Sequence, residues 1–151
     1  NPTVLGFAAQ RFRAQGNPAK AAEFLQRIVD KAPGNPVVLN DLAWAQFEAK
    51  MPDALKNATK AADLAPNSTV ILDTLGMLQA QAGKQAEAIA TLRTAVNLAP
   101  GATAPRLHLA ELYLKAGESK EAAKLIQPIN PKALGTNEAE ILKRLTTSLG
   151  T

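Results

Sequence analysis

The sequence has no cysteine and only one histidine, one tryptophan and one tyrosine. Without cysteine the chain has neither disulfides nor thiolate metal ligands, and a lone His108 cannot build a multi-histidine metal site. No apolar run reaches the roughly 18 residues that a membrane-spanning helix needs. We therefore expect no metal, no cofactor and no membrane span in this chain.

The sequence also lacks clustered charge and the common catalytic motifs. Its net charge is +4, but no three basic residues are consecutive, and scattered positive charge is typical of a solvated surface rather than a nucleic-acid interface. No glycine-rich nucleotide-binding motif, nucleophile elbow or His-Glu-x-x-His motif occurs. We expect neither a nucleic-acid partner nor an enzyme.

An internal repeat is the strongest positive signal. "KAPGNP" at 31–36, "LAPNST" at 64–69 and "LAPGAT" at 98–103 recur about every 34 residues. Alanine-rich amphipathic segments lie between them, which predicts two helices in each repeat. The predicted repeats cover approximately 2–35, 36–68, 69–102 and 103–131.

Capping and turn residues agree with this division. Asn17-Pro18 and Asn35-Pro36 each place an N-cap before a proline at the first helical position. Loop glycines at 16, 83 and 117 mark three of the turns inside repeats. The second repeat has "EAKMPDA" instead, which predicts a tighter turn with Pro52 opening the next helix.

Small residues recur where the two helices of a repeat would face each other, and they permit close packing. They are Ala9, Ala43, Gly76 and Ala110 in the first helices and Ala21, Ala54, Ala88 and Ala122 in the second helices.

The tail departs from the repeat. Pro128 and Pro131 predict that the last repeat helix ends early, near Gln127. A final helix is expected at approximately 137–149, with Asn137 and Glu140 at capping-box spacing. Such a helix would cover the end of the array.

This arrangement resembles the tetratricopeptide repeat (TPR). The third repeat matches best, through Leu75-Gly76, Gly83, Ala88, Leu92, Ala95 and Pro100. The resemblance implies an all-α, right-handed TPR superhelix of four helix-turn-helix repeats and a capping helix, forming a single domain over 1–151. It also implies that the first helices line a concave groove that binds extended or helical peptides.

A narrower resemblance lies in "LAW", "MPDAL", "LDTLG" and "EAEILKRL". These stretches are similar to the C-terminal repeats of bacterial TPR lipoproteins of exosortase and PEP-CTERM sorting systems. This similarity implies a cell-envelope protein linked to exopolysaccharide production and protein sorting. The chain begins at a helix-entry signal, Asn1-Pro2, so we expect it to be a fragment of a longer array with an uncapped N-terminal edge.

The TPR register assigns candidate partner-binding residues to the groove. They are Gln10 and Arg13 in repeat 1, Asn40, Asp41, Trp44 and Phe47 in repeat 2, Asp73, Met77 and Gln81 in repeat 3, and His108, Glu111 and Lys115 in repeat 4. Trp44 and Met77 occupy the same place in successive repeats. An aromatic and a methionine rimmed by polar groups are typical of a binding hot spot. The alternative is that Trp44 and Phe47 pack between neighbouring first helices.

Three functions remain open at this stage. The leading hypothesis is a non-enzymatic scaffold whose groove binds a protein or peptide. An acidic chain terminus is disfavoured, because the groove positions hold Gly6, Gln10, Asp41 and Asp73 instead of a cationic clamp. The alternatives are a structural spacer that self-associates through its N-terminal edge, and a polysaccharide-contacting accessory with Trp44 as a stacking platform.

Overall fold

The computed structural model describes residues 2–150, and for Pro2 the backbone alone. This part of the chain contains nine α-helices, one short 3-10 turn and no strand. The helices are α1 (Pro2–Ala14), α2 (Pro18–Lys31), α3 (Pro36–Glu48), α4 (Ala54–Leu64), α5 (Thr69–Gln81), α6 (Gln85–Leu98), α7 (Thr103–Lys115), α8 (Ser119–Ile126) and α9 (Thr136–Leu149). The prediction of an all-α solenoid is confirmed.

Each helix packs against its neighbours in sequence, which builds a row of helix pairs. We call α1, α3, α5 and α7 the first helices and α2, α4, α6 and α8 the second helices. First helices of adjacent repeats also touch, α3 with α5 and α5 with α7, and α9 packs on α7. The first helices and α9 therefore form one continuous face.

The asparagine–proline pairs begin helices as expected. The side chain of Asn17 accepts a hydrogen bond from the backbone of Lys20, and that of Asn35 accepts from Val37 and Val38. Both asparagines satisfy amide groups that have no partner inside the helix. The matching role expected of Asn1 lies outside the described residues.

The recurring small residues form the seam inside each pair. All of the alanines named for the seam are buried. At Gly76 a Cβ atom would lie 2.6 Å from Cγ of Leu92, which is itself fully buried in α6. The approach of α5 to α6 thus depends on a missing side chain.

The turn between α3 and α4 differs from its prediction. Pro52 does not open α4, which begins at Ala54, and the connection is longer than the other turns inside repeats. Lys50 takes a left-handed conformation with φ of 56°, and Met51 N–H then bonds to Gln46 O at 2.8 Å. The corresponding residues in the other turns are the glycines at 16, 83 and 117, with φ of 71°, 77° and 79°. The backbone keeps the same helix-ending turn, and lysine adopts the strained conformation in place of glycine.

The tail follows its prediction except at the start of α9. Helix α8 ends at Ile126, ahead of Pro128. Helix α9 begins at Thr136 with Gly135 as its N-cap, and no side chain caps it. The expected capping box is therefore wrong, because Asn137 already lies inside the helix. No helix within residues 2–150 is long and apolar enough to cross a membrane.

Candidate functional site

A cleft of ≈ 730 Å³ opens on the face formed by the first helices and α9. We call it the Trp44 cleft. Its lining is Trp44 from α3, Asp73, Thr74 and Met77 from α5, Ala104 and His108 from α7, and Thr136, Asn137, Glu138, Glu140, Ile141 and Arg144 from α9. Four successive helices of one face thus contribute to a single concave site.

Trp44 is half-buried and its indole is fixed in orientation. Its ring packs partly on the core and lies 5.5 Å from the ring of Phe47. The indole Nε1 donates to Oε1 of Glu48 at 3.0 Å. Glu48 in turn accepts from Nε of Arg13 in α1, at 3.1 Å. This chain of contacts holds one edge of the indole while its ring contributes to the cleft.

Asp73 and His108 form a polar link across the cleft floor. Their Oδ1 and Nδ1 atoms are 2.8 Å apart, and their side chains are only 15 % and 14 % exposed. Burial lowers the pKa of His108. The hydrogen bond to Asp73 and the carboxylates of Asp73, Glu111 and Glu138 raise it, and the resulting pKa lies above the ordinary value of 6.5. Protonated His108 donates to Asp73 and joins α5 to α7.

Helix α9 is tied to α7 by two polar contacts. Oγ1 of Thr103 donates to Oε1 of Glu138 at 2.7 Å, and Nη2 of Arg144 donates to Oε1 of Glu111 at 3.0 Å. These contacts place the polar and apolar side chains of α9 beside the Trp44 cleft. The capping helix is thereby also a wall of the site.

We call each pair of neighbouring helices on this face a step, and the steps differ in the side-chain links that join their two helices. Arg13–Glu48 links α1 to α3, Asp73–His108 links α5 to α7, and Glu111–Arg144 links α7 to α9. Within residues 2–150, no such hydrogen bond or ion pair joins α3 to α5. That step carries the apolar side chains of Trp44 and Met77.

The predicted groove residues fall into separate environments. Trp44, Asp73, Met77 and His108 share the Trp44 cleft. Gln10, Arg13 and Asp41 line a second cleft of ≈ 220 Å³ between α1, α2 and α3. Gln81, Glu111 and Lys115 line a third cleft of ≈ 50 Å³, next to Met77 and His108.

Two predicted residues, Asn40 and Phe47, line none of these three clefts. Asn40 is 9 % exposed, and its buried Oδ1 has no hydrogen-bond partner among the described residues. Phe47 is half-buried and packs on the core beside Trp44. The side chains of Gln46 and Asn57 also join α3 to α4 at 2.8 Å, so α3 is packed along several sides.

The sequence-based prediction did not include the residues of α9. The sequence assigns "EAEILKRL" to a cap and to the lipoprotein resemblance but not to the groove, although Glu138, Ile141 and Arg144 line the cleft. The available signal was the pattern of charged residues on a terminal helix that follows the second helix of the last repeat, where the first helix of a further repeat would lie. No cluster of three or more possible metal ligands occurs within residues 2–150.

The tetratricopeptide repeat family model matches residues 12–63 and 79–145, most of the chain. The chain belongs to this family. No curated protein matches it in sequence. The crystal structure of MamA has a TM-score of 0.77 to this TPR chain at 19 % identity, covering 99 % of this chain and 79 % of MamA.

Two other solved structures show the same fold. A tetratricopeptide repeat protein from Parabacteroides merdae has a TM-score of 0.75 at 20 % identity, with 99 % of this chain and 60 % of that one covered. The first TPR of Spaghetti (RPAP3), bound to the HSP90 peptide SRMEEVD, has a TM-score of 0.71 at 21 % identity, covering 77 % of this chain and 93 % of that one. At these identities the similarity concerns the fold alone.

Proposed function

We propose that this TPR chain is a non-enzymatic scaffold that binds a segment of a partner protein in the Trp44 cleft. The observation that carries the proposal is the position of Trp44 and Met77. They come from adjacent repeats, lie at the step without a polar link, and line a cleft of ≈ 730 Å³. Tryptophan supplies a large rigid contact surface, and methionine adapts to varied apolar groups.

The geometry supports a peptide more than a small metabolite. The cleft extends over four helices and has polar groups along both walls, which suits an extended or helical segment. The Spaghetti domain was solved with an HSP90 peptide, and the second TPR of human RPAP3 with an HSP70 peptide. Those complexes support peptide binding as a use of this fold.

We also propose that the scaffold works in the bacterial cell envelope, with machinery for exopolysaccharide production or protein sorting. The support is the similarity of "LAW", "MPDAL" and "EAEILKRL" to exosortase-associated TPR lipoproteins. The coding sequence upstream tests this setting. A lipoprotein signal and further repeats are expected. A start codon directly before the first helix, with no signal sequence, would contradict the proposal.

A displayed library of random peptides tests the binding function. The peptides enriched on the wild-type protein are measured by calorimetry against Trp44→Ala and Met77→Ala. Because hot-spot truncations remove about 2 kcal/mol or more, we expect Trp44→Ala to weaken binding roughly thirtyfold. Leu98→Ala removes a partly exposed apolar side chain from α6, outside the cleft, and serves as the matched control.

Unchanged affinity in both cleft variants would show that the peptides do not bind in the Trp44 cleft. A change in Trp44 emission with oligosaccharide, and with no enriched peptide, would favour the polysaccharide-contacting alternative.

Self-association is a second candidate, and a specific observation favours it. Val4 and Phe7 on α1 are 63 % and 69 % exposed at the N-terminal edge of the array. Light scattering over a concentration series, repeated with Phe7→Ser, tests this edge. If the edge self-associates, the wild type should form a dimer and Phe7→Ser should be monomeric. A monomeric wild type at every concentration would exclude self-association.

A further inference from the structure

We infer that the Trp44 cleft selects a basic segment, one that carries lysine or arginine beside an aliphatic anchor. This inference rests on the proposed function and specifies the chemistry of its partner. The aliphatic side chain packs on Trp44 and Met77, and the cationic groups meet the carboxylates along the walls.

The charge of the cleft is opposite to that of the chain. The chain as a whole carries +4. The cleft lining contains Asp73, Glu138 and Glu140, with Arg144 and His108 as its basic groups. A positive protein with acidic groups gathered in this concave site has a local preference for positive ligands there.

Both basic groups of the cleft already have acidic partners. Arg144 is paired with Glu111, and His108 with Asp73. Glu138 accepts a hydrogen bond from the neutral hydroxyl of Thr103, and Glu140 forms no ion pair within residues 2–150. Glu140 therefore keeps its negative charge available to a ligand, whereas the carboxylate of Glu138 also interacts with His108.

Two carboxylates flank Trp44 along α3, and neither of them lines the Trp44 cleft. Asp41, one turn before Trp44, is half-buried, and burial raises its pKa while Arg13 lowers it. Glu48, one turn after Trp44, is occupied by Arg13 and by the indole. The indole itself favours a lysine or arginine side chain through cation–π attraction.

An acidic segment would meet the opposite situation. Arg144 would have to leave Glu111 to bind it, and the freed carboxylate would repel it. Lys115, a further cation of α7, lines the small adjoining cleft rather than the Trp44 cleft. Discrimination against acidic peptides therefore follows from the same contacts that favour basic ones.

Three matched peptides test the inference. The first is a short capped peptide of lysine, leucine and alanine, and the others replace every lysine by glutamine or by glutamate. None contains tryptophan, so Trp44, the only tryptophan of the chain, reports binding by its emission. We expect the lysine peptide to bind at least tenfold more tightly than the glutamine peptide, with affinity that falls as salt is added. The glutamate peptide is expected to be the weakest.

Single charge removals locate the effect. Glu140→Gln is expected to weaken the lysine peptide about two- to fivefold and to leave the glutamine peptide unchanged. Glu23→Gln makes the same chemical change on an exposed position of α2, outside the cleft, and should change neither. Glu140→Lys is expected to shift the preference toward the glutamate peptide.

The outcomes separate the inference from the proposed function. Equal binding of the lysine and glutamine peptides, lost in Trp44→Ala, would overturn charge selection and leave the cleft as a binding site. Tighter binding of the glutamate peptide would also overturn it. If the emission of Trp44 responds to none of the three peptides, the inference is overturned. The displayed library of random peptides tests the proposed binding function separately.

Discussion

Nε1 of Trp44 and Oε1 of Glu48 lie 3.0 Å apart, one helical turn from each other on α3. Glu48 also binds Arg13, so it connects the indole to the preceding repeat. The indole that we propose as the anchor of a partner is thus positioned by residues that do not line the Trp44 cleft.

Removing this support should weaken binding without removing any ligand contact. For Glu48→Ala we expect a two- to fivefold loss of affinity for a cleft-binding peptide, because the indole loses its hydrogen bond. The free energy of unfolding should change by less than about 1 kcal/mol, since the ion pair is exposed. Calorimetry and urea unfolding check the two values, with Glu23→Ala as control. An unchanged affinity would show that Trp44 does not need Glu48.

The α5–α6 seam provides a test of packing. Gly76→Ala places a Cβ against Leu92 and should destabilise the protein by about 1–3 kcal/mol, despite the better helix propensity of alanine. Gly6 is the matched control, because it also lies in a helix and a Cβ there meets nothing within 4 Å. Gly6→Ala should stabilise by about 0.5–1 kcal/mol. Equal effects of the two substitutions in urea unfolding would contradict the close approach.

Lys50 provides a test of the turn. Its φ of 56° is costly for a residue with a Cβ, and glycine removes that cost but loses more entropy on folding. Lys50→Gly should therefore raise the free energy of unfolding by about 0.5–1 kcal/mol, as measured by thermal or urea unfolding. Gly83→Ala, the reverse change at an equivalent turn, should lower it. A loss of stability in Lys50→Gly would show that the lysine side chain contributes more than its backbone costs.

The Asp73–His108 link should make stability depend on pH. Because the folded-state pKa of His108 lies above 6.5, the link contributes fully below 6.5 and its contribution is lost as pH rises through the folded pKa. Urea unfolding of wild type and His108→Gln from about pH 5 to about pH 8 measures this contribution. The wild type should gain relative to the variant toward low pH. A constant difference, or one that grows with pH, would contradict the assignment.

The repeats made much of the fold predictable. Proline after alanine, asparagine before proline and the recurring small residues each act within a few residues of chain, so the helix pairs follow from local chemistry. The turn at Lys50 could not be predicted, because the backbone conformation usually signalled by glycine is taken there by lysine. The cap at Gly135 was missed because it acts through its backbone, without a side-chain hydrogen bond.

The candidate site was only partly predictable. The repeat register brings Trp44 and Met77 to equivalent places, which places them on the same face. The register says nothing of α9, whose sequence is not a repeat, and so Glu138, Ile141 and Arg144 were not expected in the cleft. Asn40 shows the same limit, because its burial depends on how the neighbouring helices pack against α3.

The indole resonance of Trp44 gives the most direct test of the cleft. As the only tryptophan, it contributes a single indole cross-peak to a ¹H–¹⁵N spectrum. Titration with a peptide enriched on the wild-type protein should shift that peak, together with backbone amides of α5, α7 and α9. Saturating binding that shifts only amides of the second helices, and leaves the Trp44 indole in place, would contradict the assignment of the partner to this cleft.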